Sequence, residues 1–159
     1  MEEQKKEKKW LLTVNSGEAE QPFEWSIGKH GSKFLQEIRD NKRIVGIKCP
    51  KCKKVFVPPR KVCGDCFVAM DEIVPLSGEG SINTYTVLNF GFVDPDTGKQ
   101  KPVPYTWAFI HLDGADNTFI HYVEETNLEK LRVGLRVRAV FEENRKGHLL
   151  DIKHFEVIE

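Results

Sequence analysis

No apolar run in this chain approaches the roughly 18 residues that a membrane-spanning helix needs. Met1 to Lys9 is charged and has no apolar stretch behind it, so a secretory leader is not expected and the reading is cytoplasmic. The familiar catalytic fingerprints are missing as well. There is no H-E-x-x-H, H-x-x-E-H or G-x-S-x-G, no Walker A motif and no dinucleotide fingerprint. The five histidines, His30, His111, His121, His148 and His154, are scattered, and His111 and His121 are the only two expected to face each other, across a hairpin, for cross-strand packing. Net charge is absent too, because 24 Lys/Arg balance 24 Asp/Glu. That balance hides an asymmetry. Residues 1–71 hold 15 basic and 10 acidic residues, a net of +5, and residues 72–159 hold 9 and 14, a net of −5. From Lys42 to Lys61 there are eight basic residues and no acidic one. The division points to two modules of different character.

Cysteine is scarce but concentrated. All four lie within eighteen residues, as Cys49-Pro50-Lys51-Cys52 and Cys63-Gly64-Asp65-Cys66. A C-x-x-C knuckle places two thiolates on one tight turn, and two knuckles complete a tetrahedron around a metal ion. The ten residues between them suffice for a short hairpin, with Val55-Phe56-Val57 as strand and Pro58-Pro59 as its break. Gly64 is expected to supply the permissive backbone of the second turn. Two disulfides are disfavoured without a secretory signal, and a redox C-x-x-C would not occur twice. Zinc is the expected metal, although a single iron would use the same four thiolates, because sequence specifies the ligands and not the ion. With Cys49, Cys52, Cys63 and Cys66 all bound, no coordination position is left open, so the metal is structural. Lys48, Lys51, Lys53, Lys54 and Lys61 offset the formal −2 of such a centre; a nucleic-acid patch is the sharper alternative.

Elsewhere the chain divides into an extension (1–22), a helix and ribbon (23–71) and a β module (72–159). The extension contains one apolar segment, Trp10-Leu11-Leu12-Thr13-Val14, suited to packing on another chain or on the protein's own core. Phe34, Leu35 and Ile38 recur at helical spacing, and Ile44, Val45 and Ile47 lead into the ribbon as a strand. Ser81 to Phe90, Tyr105 to Asp113, Thr118 to Glu124, Leu135 to Glu142 and His148 to Val157 read as five strands. Leu135, Val137, Ala139 and Phe141 alternate with Arg136, Arg138 and Val140, as in a sheet with one wet face. Asp113-Gly114-Ala115-Asp116 is a hairpin turn, and Thr126 to Lys130 offers one helical turn between the third and fourth strands. The architecture expected is mainly β: an N-terminal helix, a rubredoxin-like zinc ribbon, then a five-stranded OB-fold barrel. Its longest connection, Gly91 to Pro104, lies where OB-folds often carry a ligand-contacting loop.

The order of these parts resembles the acyl-CoA-associated zinc-ribbon and OB-fold proteins, accessory partners of thiolases. The resemblance is carried by Cys49-Pro50-Lys51-Cys52, Phe56-Val57-Pro58-Pro59-Arg60 and Val62-Cys63-Gly64-Asp65-Cys66. It continues through Gly78 to Val87, Pro104-Tyr105 with Ala108 to Gly114, and Leu131 to Val137, covering about residues 23–158. It implies a hetero-oligomer with a thiolase-type subunit that carries the nucleophilic cysteine, and an acyl-CoA thioester as the ligand of the complex. Members of the family serve as scaffolds between a thiolase and hydroxymethylglutaryl-CoA synthase, or belong to phloroglucinol acyltransferase complexes. Others partner thiolases of anaerobic toluene degradation such as benzoylsuccinyl-CoA thiolase. The long N-terminal extension departs from the short archaeal scaffolds and favours a bacterial thiolase partner, with the small subunit of benzoylsuccinyl-CoA thiolase as the specific expectation.

An acyltransferase needs an activated nucleophile, a base and oxyanion donors. With every thiol committed to metal, this chain is expected not to be catalytic alone. Lys54, Arg60 and Lys61 on the basic ribbon are the candidates for CoA phosphates, Arg60 through its bidentate guanidinium or else in a salt bridge within the fold. The runner-up is a nucleic-acid-binding ribbon and OB-fold protein. Against it, the β module is net −5, and Tyr85, Phe90, Tyr105, Trp107, Phe109 and Phe119 stand where core packing is the default.

Overall fold

In the computed structural model, residues 26–93, 98–100 and 102–158 are described. The Trp10–Val14 segment lies outside them, as do residues 94–97 and 101 of the long connection. The first element, α1 (Gly28–Asn41), buries Phe34, Glu37 and Ile38 along one face. It ends where Lys42 turns left-handed (φ 49) and the Arg43 N–H returns to the Glu37 carbonyl at 3.2 Å. Next come β1 (Val45–Lys48), β2 (Val55–Phe56) and β3 (Glu72–Pro75), an antiparallel sheet in the order β2-β1-β3. This sheet runs past residue 71, because Glu72 to Pro75 pair with Lys48 to Val45.

Five further strands, β4 (Glu79–Leu88), β5 (Tyr105–Leu112), β6 (Thr118–Val123), β7 (Arg136–Phe141) and β8 (Ile152–Val157), close a barrel in the order β4-β5-β6-β8-β7. All pairings are antiparallel except β6 with β8. This is the OB-fold topology. The alternation read in the fourth strand is observed, since Leu135, Val137 and Ala139 are buried.

The barrel core does not end at the barrel. Phe34 and Ile38 of α1, with Ile44, Val45 and Val57 of the ribbon, belong to the same buried cluster as Ile110, Val137 and Phe155. Phe34 meets Phe119 edge to face at 6.2 Å. The helix therefore covers apolar surface that the barrel alone would expose to water. Within the cluster's border, the buried Glu37 carboxylate accepts hydrogen bonds from Asn41 (2.8 Å) and Arg43 (2.7 Å) and pairs with Lys33 at 2.8 Å.

These partners set its acidity. Lys33 first, then Arg43 and Asn41, outweigh burial and hold Glu37 at about 2, below its usual 4.5. A carboxylate depressed in the folded state adds stability that is present above its unfolded pKa and lost as protons bind. Stability is thus expected to fall as pH drops from 4.5 toward about 2. Thermal melts across that window test this: Glu37→Gln should show a shallower loss than the parent chain, and equal slopes would refute it.

Two local expectations change. The last strand begins at Ile152 and not at His148, because Leu149–Asp151 form a 3-10 turn capped by the His148 side chain. The Asp151 carboxylate gathers the N–H groups of Lys146, Gly147 and His148 at 2.7–3.1 Å, which bends the backbone away from the sheet. Between β6 and β7 the chain makes the single turn expected there, at Asn127–Lys130, where the Asn127 carbonyl accepts from the N–H groups of Lys130 (3.0 Å) and Leu131 (3.1 Å). His111 and His121 do not face each other. His111 pairs with Thr118 and points out, and His121 pairs with Ala108 and is buried. Thr118 stands three residues before His121, and an odd offset sends two side chains to opposite faces.

Candidate metal centre and its surroundings

Two hairpin turns of the same construction hold the cysteines. In the first, the Lys53 N–H donates to the Cys49 carbonyl at 3.0 Å and the Cys49 N–H to the Lys54 carbonyl at 2.8 Å. In the second, Phe67 and Cys63 are bonded at 3.0 Å, and Cys63 and Val68 at 3.0 Å. Both turns need a left-handed residue just after the second cysteine, and it is Lys53 (φ 65) and Phe67 (φ 56) that adopt it. Gly64, expected to serve the turn by its permissive backbone, is not among the positive-φ residues, and a Cβ there would meet only the Arg60 guanidinium at 3.9 Å. Lys53→Gly is therefore expected to stabilise the chain by roughly 0.5 kcal/mol through relief of left-handed strain. Gly64→Ala should stay within about 0.5 kcal/mol of the parent. Denaturant titration of the two variants separates these outcomes; a destabilised Lys53→Gly would contradict the strain argument.

The turns bring four sulfur atoms together. The Sγ atoms of Cys49, Cys52, Cys63 and Cys66 all lie within 4.8 Å of one another, Cys49 and Cys63 fully buried. None is in a disulfide. A tetrahedron with Zn–S bonds near 2.3 Å has S···S edges of about 3.8 Å, and Cys52 and Cys63 stand 3.8 Å apart. Burial works against a thiolate at Cys49, but N–H groups of Cys52 and Lys51 outweigh it and hold that thiol down to about 6. Burial and the three neighbouring sulfurs push Cys66 up to about 12. Four thiols this close cannot all ionise against one another, whereas a bound dication would deprotonate them together. The donor set, its spacing and its enclosure fit structural zinc. Beneath the site, Ile47, Phe56 and Met70 form a small apolar cluster with the buried cysteines.

The basic residues around the centre are engaged unequally. Lys54 reaches across to Asp65 of the other knuckle at 2.7 Å, and this pair raises the pKa of the lysine and lowers that of the aspartate. The Lys53 ammonium donates to the Pro50 carbonyl at 2.7 Å. Arg60 lies over the Phe56 ring at 3.7 Å and makes no ion pair among the described residues, so its alternative as an internal salt bridge is not what the fold uses. With Lys61, Lys29 and His30 it lines a cleft of about 510 Å³ between the ribbon and the start of α1. Lys29 stands 3.9 Å from Asp71 on that rim.

Sequence reasoning missed how ribbon and barrel are joined. The turn between β5 and β6 lies along the edge of β2. The Val55 N–H donates to the Asp116 carboxylate at 2.8 Å and its carbonyl accepts from the Asp116 N–H at 2.8 Å. The Asn117 amide then accepts from the Val57 N–H at 2.8 Å and donates to the Val57 carbonyl at 2.6 Å. Nothing local marks these two residues, since their partners lie some 60 positions away. The aromatics also divide differently. Phe119 is core, and Tyr85 is partly buried with its hydroxyl donating to the Leu131 carbonyl at 3.0 Å. Trp107 and Phe109, expected in the core, are exposed because Thr106, Ala108 and Ile110 fill the inward positions of β5, and Phe90, beyond the end of β4, is exposed as well.

Known proteins share this combination. Residues 37–71 match the ChsH2 rubredoxin-like zinc ribbon domain, and residues 73–142 the ChsH2 C-terminal OB-fold domain. A DUF35 domain-containing scaffold protein of Methanocaldococcus jannaschii is 31% identical over 108 residues, spanning 67% of this chain and 72% of the relative. One of Methanothermobacter thermautotrophicus is 28% identical, over 70% of this chain and 80% of its own. Among solved structures, an Ltp2-ChsH2(DUF35) aldolase matches with a TM-score of 0.61 at 20% identity, covering 84% of this chain and 98% of that one. A DUF35-family protein of Sulfolobus solfataricus gives 0.60 at 24% identity, over 82% and 87%. At such identities the structural likeness speaks for the fold. The sequence matches to both halves and the identity to the archaeal relatives go further, and this chain belongs to the DUF35 family of ChsH2-type zinc-ribbon and OB-fold proteins.

Proposed function

We propose that this chain is a non-catalytic accessory subunit of a thiolase-type acyl-CoA complex, whose partner carries the cysteine that breaks or forms the carbon–carbon bond. The observation that carries this reading is that the chain's four cysteines all converge on one closed site, leaving no thiol nucleophile in 159 residues. The names of its relatives, scaffold proteins and an Ltp2-ChsH2(DUF35) aldolase, support assembly with a partner enzyme. At its finest, the reading is the small subunit of a benzoylsuccinyl-CoA thiolase in anaerobic aromatic degradation. A second reading, a scaffold between a thiolase and hydroxymethylglutaryl-CoA synthase, is favoured by the scaffold description of the archaeal relatives.

Lys54, Arg60 and Lys61 remain the proposed contacts for CoA phosphates. Arg60 and Lys61 share a cleft large enough for a phosphate-bearing group, and Lys54 would have to leave Asp65 to join them. The Trp10–Val14 segment and the 91–104 connection are further contact candidates.

The test is co-expression with the neighbouring genes, with the tag on this chain. A thiolase-type subunit should co-elute, and its acyl-CoA condensation or thiolysis should depend on the presence of this chain. A chain that elutes alone, with no thiolase-like neighbour encoded, removes the reading.

A further inference from the structure

The two arms of the second knuckle run on into the cleft beside the metal centre. Arg60 and Lys61 come before Cys63, and Ala69, Met70 and Asp71 come after Cys66; all five line the cleft. The Met70 N–H donates to the Lys61 carbonyl at 2.9 Å, and Val62 and Ala69 form a β-bridge, so the arms are fastened to each other just behind the cysteines. Met70 is buried in the apolar cluster of Ile47, Cys49, Phe56 and Cys63, yet it also lines the cleft. Phe56, of the same cluster, carries the Arg60 guanidinium over its ring at 3.7 Å. The cluster that encloses the sulfur atoms therefore also places one wall of the cleft and its arginine. Lys29 and His30 of α1 complete the polar lining, which sets three cations, Lys29, Arg60 and Lys61, against the single carboxylate of Asp71.

We propose that the metal centre controls phosphate binding in this cleft: a phosphate ester binds where zinc holds the two arms together, and the bound ester in turn tightens the hold on zinc. The inference rests on the phosphate-contact reading above and adds the regulation of that site. Three cations facing one carboxylate suit a phosphate dianion better than a single carboxylate. The Phe56 ring fixes where the Arg60 guanidinium sits, which lowers the entropy lost when its N–H donors close on an anion. Among the described residues Arg60 has no ion pair, so no internal partner has to be displaced first. Without metal, the small cluster around Ile47, Phe56 and Met70 cannot keep its fold, and the placement of Arg60 and of the Met70 wall is lost with it. Two ligands that favour the same folded ribbon must strengthen each other equally, so the coupling is reciprocal. A nucleic acid spreads its charge over successive phosphates, whereas these cations share one cleft.

The experiment uses the full zinc-loaded chain with ADP as the probe, and CoA, inorganic phosphate and a single-stranded oligonucleotide as further arms. Calorimetry should show saturable ADP binding. Arg60→Ala, with its zinc retained, should weaken that binding roughly tenfold or more. Arg60→Lys keeps the charge and loses the planar fork, and should weaken it in the same direction. Competition against a chromogenic chelator then reads zinc affinity, which should rise roughly tenfold with ADP at about ten times its Kd. In Arg60→Ala the same ADP concentration should leave zinc affinity almost unchanged, which also separates linkage from chelation of zinc by the nucleotide. CoA matching ADP identifies the source as a CoA ester, and free phosphate matching it identifies inorganic phosphate. Absence of binding, or parental binding in Arg60→Ala, overturns the cleft as the site. ADP binding with zinc affinity unmoved overturns the control by metal and leaves the phosphate-contact reading standing. An oligonucleotide bound more tightly than ADP assigns the cations to nucleic acid and overturns the proposal. Co-elution with a thiolase-type subunit is decided separately from all of these.

Discussion

Replacing Cys49 and Cys63 by serine is expected to abolish stoichiometric zinc binding and to unfold the ribbon. These are the two fully buried ligands, one from each knuckle, so the double change removes half the tetrahedron and leaves two serine hydroxyls among apolar neighbours. The cluster around them, chiefly Ile47, Phe56 and Met70, is too small to hold its fold unaided. Structural zinc in peptides of this size contributes on the order of 10 kcal/mol of apparent binding free energy, which is folding free energy where no site exists in the unfolded chain. The barrel should survive in weakened form, since most of its core comes from its own strands and α1. Metal analysis and amide hydrogen exchange give the readout: less than one equivalent of zinc, with protection lost in β1, β2 and β3 and kept in β4 to β8. A metal-free variant with a protected ribbon would refute the structural role. If the proposed function holds, the same variant should also lower the activity of the co-expressed complex.

Asn117→Ala should destabilise the chain by roughly 2–4 kcal/mol without disturbing the metal. The single amide satisfies both the N–H and the carbonyl of Val57, a residue that is only 1% exposed. Truncation leaves those two backbone groups without partners, at about 1–3 kcal/mol each, and the nearby turn recovers part of it by relaxing. Asp116→Ala is the natural comparison. Its carboxylate serves the more exposed Val55 N–H, so it should cost about 1 kcal/mol or less, because water can replace it. Denaturant unfolding followed with zinc content separates the cases. If Asn117→Ala unfolds like the parent, the ribbon is not held to the barrel by this amide. The joint holds the basic ribbon against the barrel through residues that lie far apart in the chain.

How far the chain could be read in advance follows from the range of each interaction. The metal centre was legible because its determinants are local: two knuckles of four residues each, in a spacing that few other chemistries use. The five barrel strands were legible because side chains alternate with period two along Tyr105 to Leu112 and Arg136 to Phe141. Which side of β5 faces in was not. Tyr105, Trp107 and Phe109 are as apolar as Ala108 and Ile110, so hydrophobicity favours the larger set, yet the closed barrel has room only for the smaller one. Composition likewise pointed to Gly64 for the permissive backbone of the second turn, whereas bonding within each knuckle demands a left-handed residue one position after the second cysteine.

By itself, then, the sequence determined a four-thiolate centre that consumes every cysteine, and a barrel of five strands behind it. Residues close along the chain specify both, through turn chemistry and side-chain period. Only the tertiary structure decided that Asp116 and Asn117 lock ribbon to barrel, that α1 completes the barrel core, and that the aromatic set of β5 faces outward. Those outcomes depend on contacts between residues far apart in the chain and on the space left inside a closed barrel, quantities that no local pattern encodes.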